Sequence, residues 1–154
     1  MTIDKLIEKI DIRGQYNALV KGWGDLQYTD DELRAQLETH VHTAIDNIVE
    51  WAKTPGIDFK AEVKGGSIHV ELSIKGDKVE NEYIAGAVRE YLEHEVPYLW
   101  WMEYDEKFAD GSARLLLIDK IRKIIRDALP EPVVPRRVMV PKVVNDTHVE
   151  WDYE

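Results

Sequence analysis

Residues 57–74, which read IDFKAEVKGGSIHVELSI, alternate apolar and polar side chains on both sides of a Gly65–Gly66 pair. Strict alternation is typical of β-strands, and two adjacent glycines suit a two-residue turn that needs positive φ at both positions. The stretch therefore predicts a β-hairpin over residues 57–74.

One register of this hairpin places every apolar residue on the same face. A slip by one residue would bury the charged side chains, so we expect the register to be well fixed. A lone hairpin is only marginally stable, so its apolar face must pack on helices or on another chain. The predicted pairs are Val63–Ile68, Ala61–Val70 and Phe59–Leu72 on the apolar face, and Glu62–His69 and Lys60–Glu71 on the polar face.

Four helices are predicted around the hairpin, because apolar residues recur at helical spacing in four segments. The second helix has the clearest start, since Thr29 followed by Glu32 matches a capping box. Pro97 is expected to end or kink the third. The segments run from Ile3 to about Arg13 with a resumption at Tyr16–Val20, from the Thr29 cap to the Thr54–Gly56 break, from about Val79 to Glu95, and from the Ser112 cap to about Leu129.

Residues 130–154 differ in character from the rest of the chain. Prolines at positions 130, 132, 135 and 141 exclude a helix and favour extended backbone. The segment is rich in valine, which is unusual for a solvated linker, and residues 147–153 alternate like a strand. The predicted fold class is α+β, mainly α. A four-helix domain, residues 1–129, carries the hairpin at 57–74, and an extended proline-rich arm, residues 130–154, follows it.

The net charge of −10 is unevenly distributed. Residues 1–113 hold 12 basic and 23 acidic side chains, residues 114–142 hold 8 basic and 3 acidic, and the last 12 residues hold 4 acidic and no Lys or Arg. The total disfavours charge-driven binding to nucleic acid or to anionic membranes. The pattern would let copies of the chain attract one another head to tail, or each charged face is simply solvated.

No motif predicts a catalytic site, a metal site or a cofactor. The chain has no cysteine, no nucleotide-binding glycine loop and no nucleophile elbow. His40 and His42 point in nearly opposite directions on a helix and cannot chelate together. We therefore expect a protein that is not an enzyme. The remaining enzymatic alternative is a sugar cleft in which Glu103 and Asp105 act beside two tryptophans.

Two groups of residues are candidates for binding. The aromatic residues near position 100 either fill the core or anchor an interface. The basic stripe lacks the interleaved aromatic residues of a single-strand platform, so we expect acidic-partner contact, and DNA at most by passing contact. The predicted protein-interaction residues are Val138, Met139, Val140, Val143, Val144, Val149, Trp151, Tyr153, Trp100 and Trp101. The predicted phosphate or acidic-partner residues are Lys120, Arg122, Lys123, Arg126, Arg136 and Arg137.

The layout of helices, inserted hairpin and Pro130–Glu154 arm resembles the head-to-tail connector (adaptor) proteins of tailed bacteriophages. The resemblance is one of layout, and no residue motif is shared. It implies copies of the chain in a ring, a portal-like partner, location in the virion and no enzyme activity.

The leading hypothesis is a structural assembly subunit that binds its neighbours through the arm. Residues 138–144 would fill an apolar groove, and residues 147–153 could add a strand to an exposed sheet edge. The alternative is a small acidic binding module, such as an immunity protein, inhibitor or antitoxin, that acts through its acidic body. We expect no membrane association, and a cytoplasmic location if the protein is not part of a virion.

Overall fold

A computed structural model describes residues 1–20, 22, 24–130, 139–145 and 148–153, the last two ranges in backbone alone. Helices and a small antiparallel sheet make up the part before Pro130. The elements are α1 (Ile3–Lys9), α2 (Ile12–Leu19), α3 (Asp30–Trp51), β1 (Asp58–Lys64), β2 (Ser67–Ile74), β3 (Asp77–Val79), α4 (Ile84–Asp105), a 3₁₀ turn (Glu106–Phe108), α5 (Arg114–Ala128), β4 (Met139–Asn145) and β5 (His148–Tyr153).

The first predicted helix is in fact two short ones, α1 and α2. Ile10 adopts an extended conformation with φ −87° and ψ 105°, which ends α1. The Asp11 side chain then accepts a hydrogen bond from the Gly14 N–H at 2.8 Å and starts α2. The prediction of one helix to about Arg13 was wrong because Asp11 is a better N-cap than an interior helical residue.

Helix α3 confirms the predicted start and apolar stripe. The Thr29 hydroxyl accepts from the Glu32 N–H at 3.2 Å and donates to the Glu32 carboxylate at 3.1 Å. Acidic residues fill the first turn, where the helix dipole favours them. The buried stripe of this helix consists of Leu33, Leu37, Val41, Ala44, Ile45 and Ile48.

The hairpin forms in the predicted register. Gly65 and Gly66 have φ of 57° and 75°, as the two-residue turn requires. The pairs are Lys64–Ser67, Val63–Ile68, Glu62–His69, Ala61–Val70, Lys60–Glu71, Phe59–Leu72 and Asp58–Ser73. A third strand, β3, which the sequence did not predict, pairs with the end of β2 and gives the order β1-β2-β3.

Helix α4 differs from the prediction at both ends. It begins at Ile84 because residues 77–79 are taken into β3, and Asn81 caps its first turn by accepting from the N–H groups of Tyr83 and Ile84. It continues through Pro97 to Asp105. A proline inside a helix costs about 3 kcal/mol, which the burial of the residues after it offsets.

Helix α5 ends where Pro130 predicted, but its start lacks the predicted Ser112 cap. Ala113 is the N-cap residue and makes no side-chain cap bond. The Ser112 N–H instead donates to the Asp110 carboxylate at 3.0 Å, within the turn that precedes the helix.

One core joins the sheet to the helices. The apolar sheet face contributes Phe59 and Leu72, α4 contributes Tyr91, and α5 contributes Ile121 and Ile125. Since the hairpin supplies part of this core, it is an integral part of the domain.

Strands β4 and β5 form a second antiparallel hairpin. Residues 139–145 pair with residues 148–153, with a shift of register between Val143 and Asn145. Strand β5 lies where residues 147–153 were predicted to be extended. Both segments have extended backbone, as predicted, but the sequence did not predict that they pair with each other.

Candidate interaction surfaces

The outer edge of β1 is the first candidate surface. β1 is the terminal strand of the sheet, with β2 on one side only. The two-residue turn makes Lys64 and Ser67 a hydrogen-bonded pair, so backbone groups facing β2 alternate with groups facing outward. The backbone groups that face outward are those of Phe59, Ala61 and Val63.

Hydrogen bonds on the far side of β2 agree with this alternation. The Ile68 N–H donates to the Met1 carbonyl at 2.8 Å, and the Ile3 N–H donates to the Gly66 carbonyl at 2.9 Å. The backbone N–H and C=O groups of Ile68 therefore point away from β1. Those of its pair partner Val63 point away from β2 in the same way. Within the described ranges, no backbone hydrogen bond from outside the hairpin reaches Phe59, Ala61 or Val63.

An open cleft of about 690 Å³ lies at the Asp58 end of β1. Its walls are the last turn of α3, the loop at residues 54–57 and the first residues of β1. The apolar residues in the wall are Val49, Pro55, Ile57 and Phe59, and charged residues lie beside them. The cleft can receive an apolar side chain next to a strand edge.

The second candidate surface is the C-terminal hairpin. Of the predicted interaction residues, Met139, Val140, Val143 and Val144 lie on β4. Val149, Trp151 and Tyr153 lie on β5. Val138 lies outside the described residues, as do Arg136 and Arg137 of the predicted basic stripe.

Trp100 and Trp101 are core residues, so their assignment as interface anchors is corrected. They are 3% and 2% exposed. Trp100 stacks on Tyr104 at 4.9 Å between ring centroids, and Trp101 meets the edge of Phe108 at 5.5 Å. The rings fill the junction of α2 and α4 and present no free face to a partner.

The indole N–H groups of both tryptophans are also satisfied internally. Trp100 donates to the Gln36 side chain at 2.8 Å, and Trp101 donates to the Gln15 side chain at 3.0 Å. Both tryptophans of the predicted sugar cleft are thus buried, and Trp100 lines a small pocket with Glu103 and Tyr104. The nearby Glu103 pairs with His40 at 2.9 Å.

The basic stripe on α5 is partly neutralised by the domain itself. Lys120 pairs with Glu90 at 2.8 Å. Arg122 donates to the Trp51 carbonyl at 2.8 Å and lies 3.4 Å from Asp119. Lys123 and Arg126 are exposed, and no ion pair of theirs occurs within the described residues.

Two exposed leucines precede these basic residues on α5, and the sequence reasoning missed them. Leu115 and Leu116 are 75% and 74% exposed. A shallow pocket next to Leu115 is lined by Trp51, Arg114, Ile118 and Arg122. The signal was present, since both leucines lie off the core stripe that begins at Leu117 and adjacent exposed leucines on a helix end indicate a contact surface.

A buried ion pair between α4 and α5 was also missed. Glu95 is 1% exposed, and Arg114 Nε lies 2.9 Å from both of its carboxylate oxygens. The guanidinium carbon of Arg114 lies 4.1 Å from the centre of the Tyr98 ring. The position of Glu95, four residues after the core residue Tyr91, could have revealed that it belongs to the buried face.

The ion pair between Glu95 and Arg114 affects the pKa values of groups that lie next to it. The hydrogen bond from Arg114 to Glu95 raises the pKa of the guanidinium above its ordinary value. Burial raises the pKa of the neighbouring Tyr91 hydroxyl, and the Glu95 charge adds to that effect. Since each charge has its partner, we interpret the pair as a clamp between two helices.

No metal arrangement is found among the described residues. None of their His, Asp and Glu side chains form a group of three that could hold a metal ion. In the same ranges, no helix combines the length and the apolar character needed to cross a membrane.

Comparison with protein-family models, with curated proteins and with solved structures found no match.

Proposed function

We propose that this protein is a structural assembly subunit that binds neighbouring subunits through its C-terminal segment. The observation that carries the proposal is the β4–β5 hairpin, a two-stranded sheet with two outer edges. Two strands alone are marginally stable in water, and a third strand or a packed face is needed to hold them. Assembly supplies that partner.

Two surfaces of the domain support the proposal. The outer edge of β1 offers backbone groups that no hydrogen bond reaches within the described residues, and the exposed Leu115 and Leu116 offer an apolar contact beside basic residues. Both differ from the hairpin, so one copy would bind the next head to tail. Contacts of this kind close into rings or continue as filaments.

The class of assembly that we propose is the head-to-tail connector of tailed bacteriophages. The charge distribution supports contacts between copies, because an acidic body, a basic α5 region and an acidic C-terminal tip can attract one another. The partners would be further copies in a ring and a portal-like protein. DNA would make at most passing contact with the exposed Lys123 and Arg126, and the protein would be located in the virion.

Sedimentation of the full chain and of a 1–129 truncation over a range of concentrations tests the proposal. We expect the full chain to form a defined oligomer and the truncation to remain a folded monomer that keeps the helical far-ultraviolet circular dichroism signal. Normal assembly by the truncation would show that the C-terminal segment is not the assembly element.

Affinity capture from the native source distinguishes the assembly subunit from the alternative, a small acidic binding module. If the full chain and the 1–129 truncation capture one partner equally well, binding lies on the acidic body. That result would identify a small acidic binding module of the inhibitor or immunity-protein kind.

A further inference from the structure

We propose that β5 of one copy pairs with the outer edge of β1 in a second copy. The two sheets would then join into one sheet with the strand order β4-β5-β1-β2-β3. This inference rests on the proposed assembly function and names the acceptor surface and the strand that binds to it.

The acceptor is the row of outward-facing backbone groups on Phe59, Ala61 and Val63. Bare strand edges of this kind bind added strands through main-chain hydrogen bonds. Natural proteins protect such edges with charged side chains, and β1 carries them at alternate positions. These charges, on Asp58, Lys60, Glu62 and Lys64, do not block the edge, since they point to the polar face of the sheet.

Pro141 determines which strand of the C-terminal hairpin can bind. It lies on β4, opposite Trp151 of β5. Proline has no N–H, so inside a sheet its nitrogen faces an open edge and not a paired strand. The outer side of β4 therefore lacks a donor at its centre, whereas β5 contains no proline and keeps its donors.

The two strands are similar in length and can form one opposite-charge pair. β1 has seven residues and β5 has six. In the antiparallel register that sets Glu62 opposite Glu150, the exposed Lys60 lies opposite Asp152, and in the register that sets Glu62 opposite Asp152, the exposed Lys64 lies opposite Glu150. Either register also sets Glu62 against an acidic residue, which is destabilising. Opposite charges on neighbouring strands stabilise a pair by about 0.2–1 kcal/mol. The antiparallel arrangement is favoured because it is slightly more stable per residue.

The absence of cysteine from the chain allows an unambiguous cross-linking test. One full-length protein carries Glu62→Cys, and a second carries Glu150→Cys or Asp152→Cys. Glu62 faces β2 with its backbone, so on the outer side it belongs to a non-hydrogen-bonded pair, in which side chains lie closest. We expect mild oxidation of the mixture to give a covalent heterodimer.

Two single-cysteine controls define the geometry. Trp151→Cys lies one residue out of phase with Glu150 and Asp152, so it should cross-link poorly to Glu62→Cys. Lys78→Cys lies on β3, at the opposite edge of the sheet, and should not cross-link to β5. Equal yields at positions 150, 151 and 152 would overturn the proposal. A double variant with Glu62→Cys and Glu150→Cys would also overturn it if its disulfide formed only within one chain.

Ala61→Pro in the full chain is the second test. The N–H of Ala61 points away from β2, so the proline keeps the β1–β2 ladder and blocks the outer edge. We expect a folded protein with at least a tenfold weaker assembly constant.

If this variant assembles like the wild type while the 1–129 truncation does not, the assembly function stands and the β1 acceptor is wrong. If the wild type itself stays monomeric at every concentration, the assembly function is wrong. If Ala61→Pro fails to fold, the cysteine pairs decide alone.

Discussion

Both hairpins of this molecule are antiparallel, yet they differ in the regularity of their pairing. The β1–β2 hairpin places Phe59 and Leu72 in the core and pairs without a break over residues 58–64 and 67–73. The β4–β5 hairpin shifts register between Val143 and Asn145 and contains Pro141. The comparison teaches that local pattern can produce a hairpin, whereas a packed face determines whether it is stable alone.

The largest effect is expected in the helices that support the first hairpin. Glu95→Ala leaves the Arg114 guanidinium without its buried partner, and breaking such a pair costs about 3–5 kcal/mol. We expect urea denaturation to show a loss of this size. The matched control is the half-buried Glu93 on the same helix, since Glu93→Ala removes long ion pairs to the exposed Lys9 and Arg89 that are worth under about 1 kcal/mol. Equal losses for both variants would show that the pair is not a clamp.

The next effect tests whether the first hairpin depends on its packed face. Leu72 is 1% exposed, and replacing a buried leucine by alanine costs about 2–5 kcal/mol. Leu72→Ala should lower the free energy of unfolding by that amount in chemical denaturation. Leu115→Ala removes the same atoms from an exposed site and should change stability by less than about 0.5 kcal/mol. A small loss for Leu72→Ala would mean that the hairpin holds without its packed face.

A smaller effect is expected at the turn. Gly66 has a φ of 75°, where a Cβ costs roughly 1–2 kcal/mol. Gly66→Ala should lower the melting temperature accordingly. Gly86→Ala in α4 is the opposite control, because an added Cβ there meets no atom within 4 Å and alanine favours a helix by about 0.5–1 kcal/mol. Destabilisation by both substitutions would contradict this account of the turn.

The first hairpin could be predicted in full because two constraints agreed there. Alternation fixed the faces, and Gly65–Gly66 fixed the turn, so only one register remained. The third strand was missed because residues 77–79 are too few to show alternation. They pair with Leu72–Ile74 on the side of β2 that faces away from β1. The end of α4 was mispredicted at Pro97 for a related reason. The proline rule considers only the neighbouring backbone, whereas the burial of Trp100 and Trp101, which keeps the helix going, depends on the tertiary structure.

The candidate surfaces were only partly predictable. Residues 147–153 read as a strand, but the partner that pairs with them in the structure is a segment interrupted by Pro141, which reads as an arm. Trp100 and Trp101 lie on a helix face, and composition does not show whether that face is covered. Glu95 was hidden among thirty acidic residues, and only its place on the apolar stripe distinguishes it.

The smallest effect is expected from removing the second hairpin, and it separates the two hairpins most sharply. The buried apolar residues of the described core run from Ile3 to Ile125, so the domain contains its own core. Deleting residues 139–154 should change its free energy of unfolding by less than about 0.5 kcal/mol at protein concentrations too low for assembly. The first hairpin offers no comparable deletion, because its strands are part of that core.

At higher concentration the full chain should gain stability while the deletion variant does not. Binding to the folded state adds about 2.7 kcal/mol when the partner concentration is 100 times Kd. Chemical denaturation of both proteins across a concentration series measures this directly. Concentration-dependent stability in the full chain alone would show that the second hairpin stabilises the protein through a neighbour. A large loss in the deletion variant at every concentration would instead show that the hairpin packs on its own domain, and the contrast between the two hairpins would disappear.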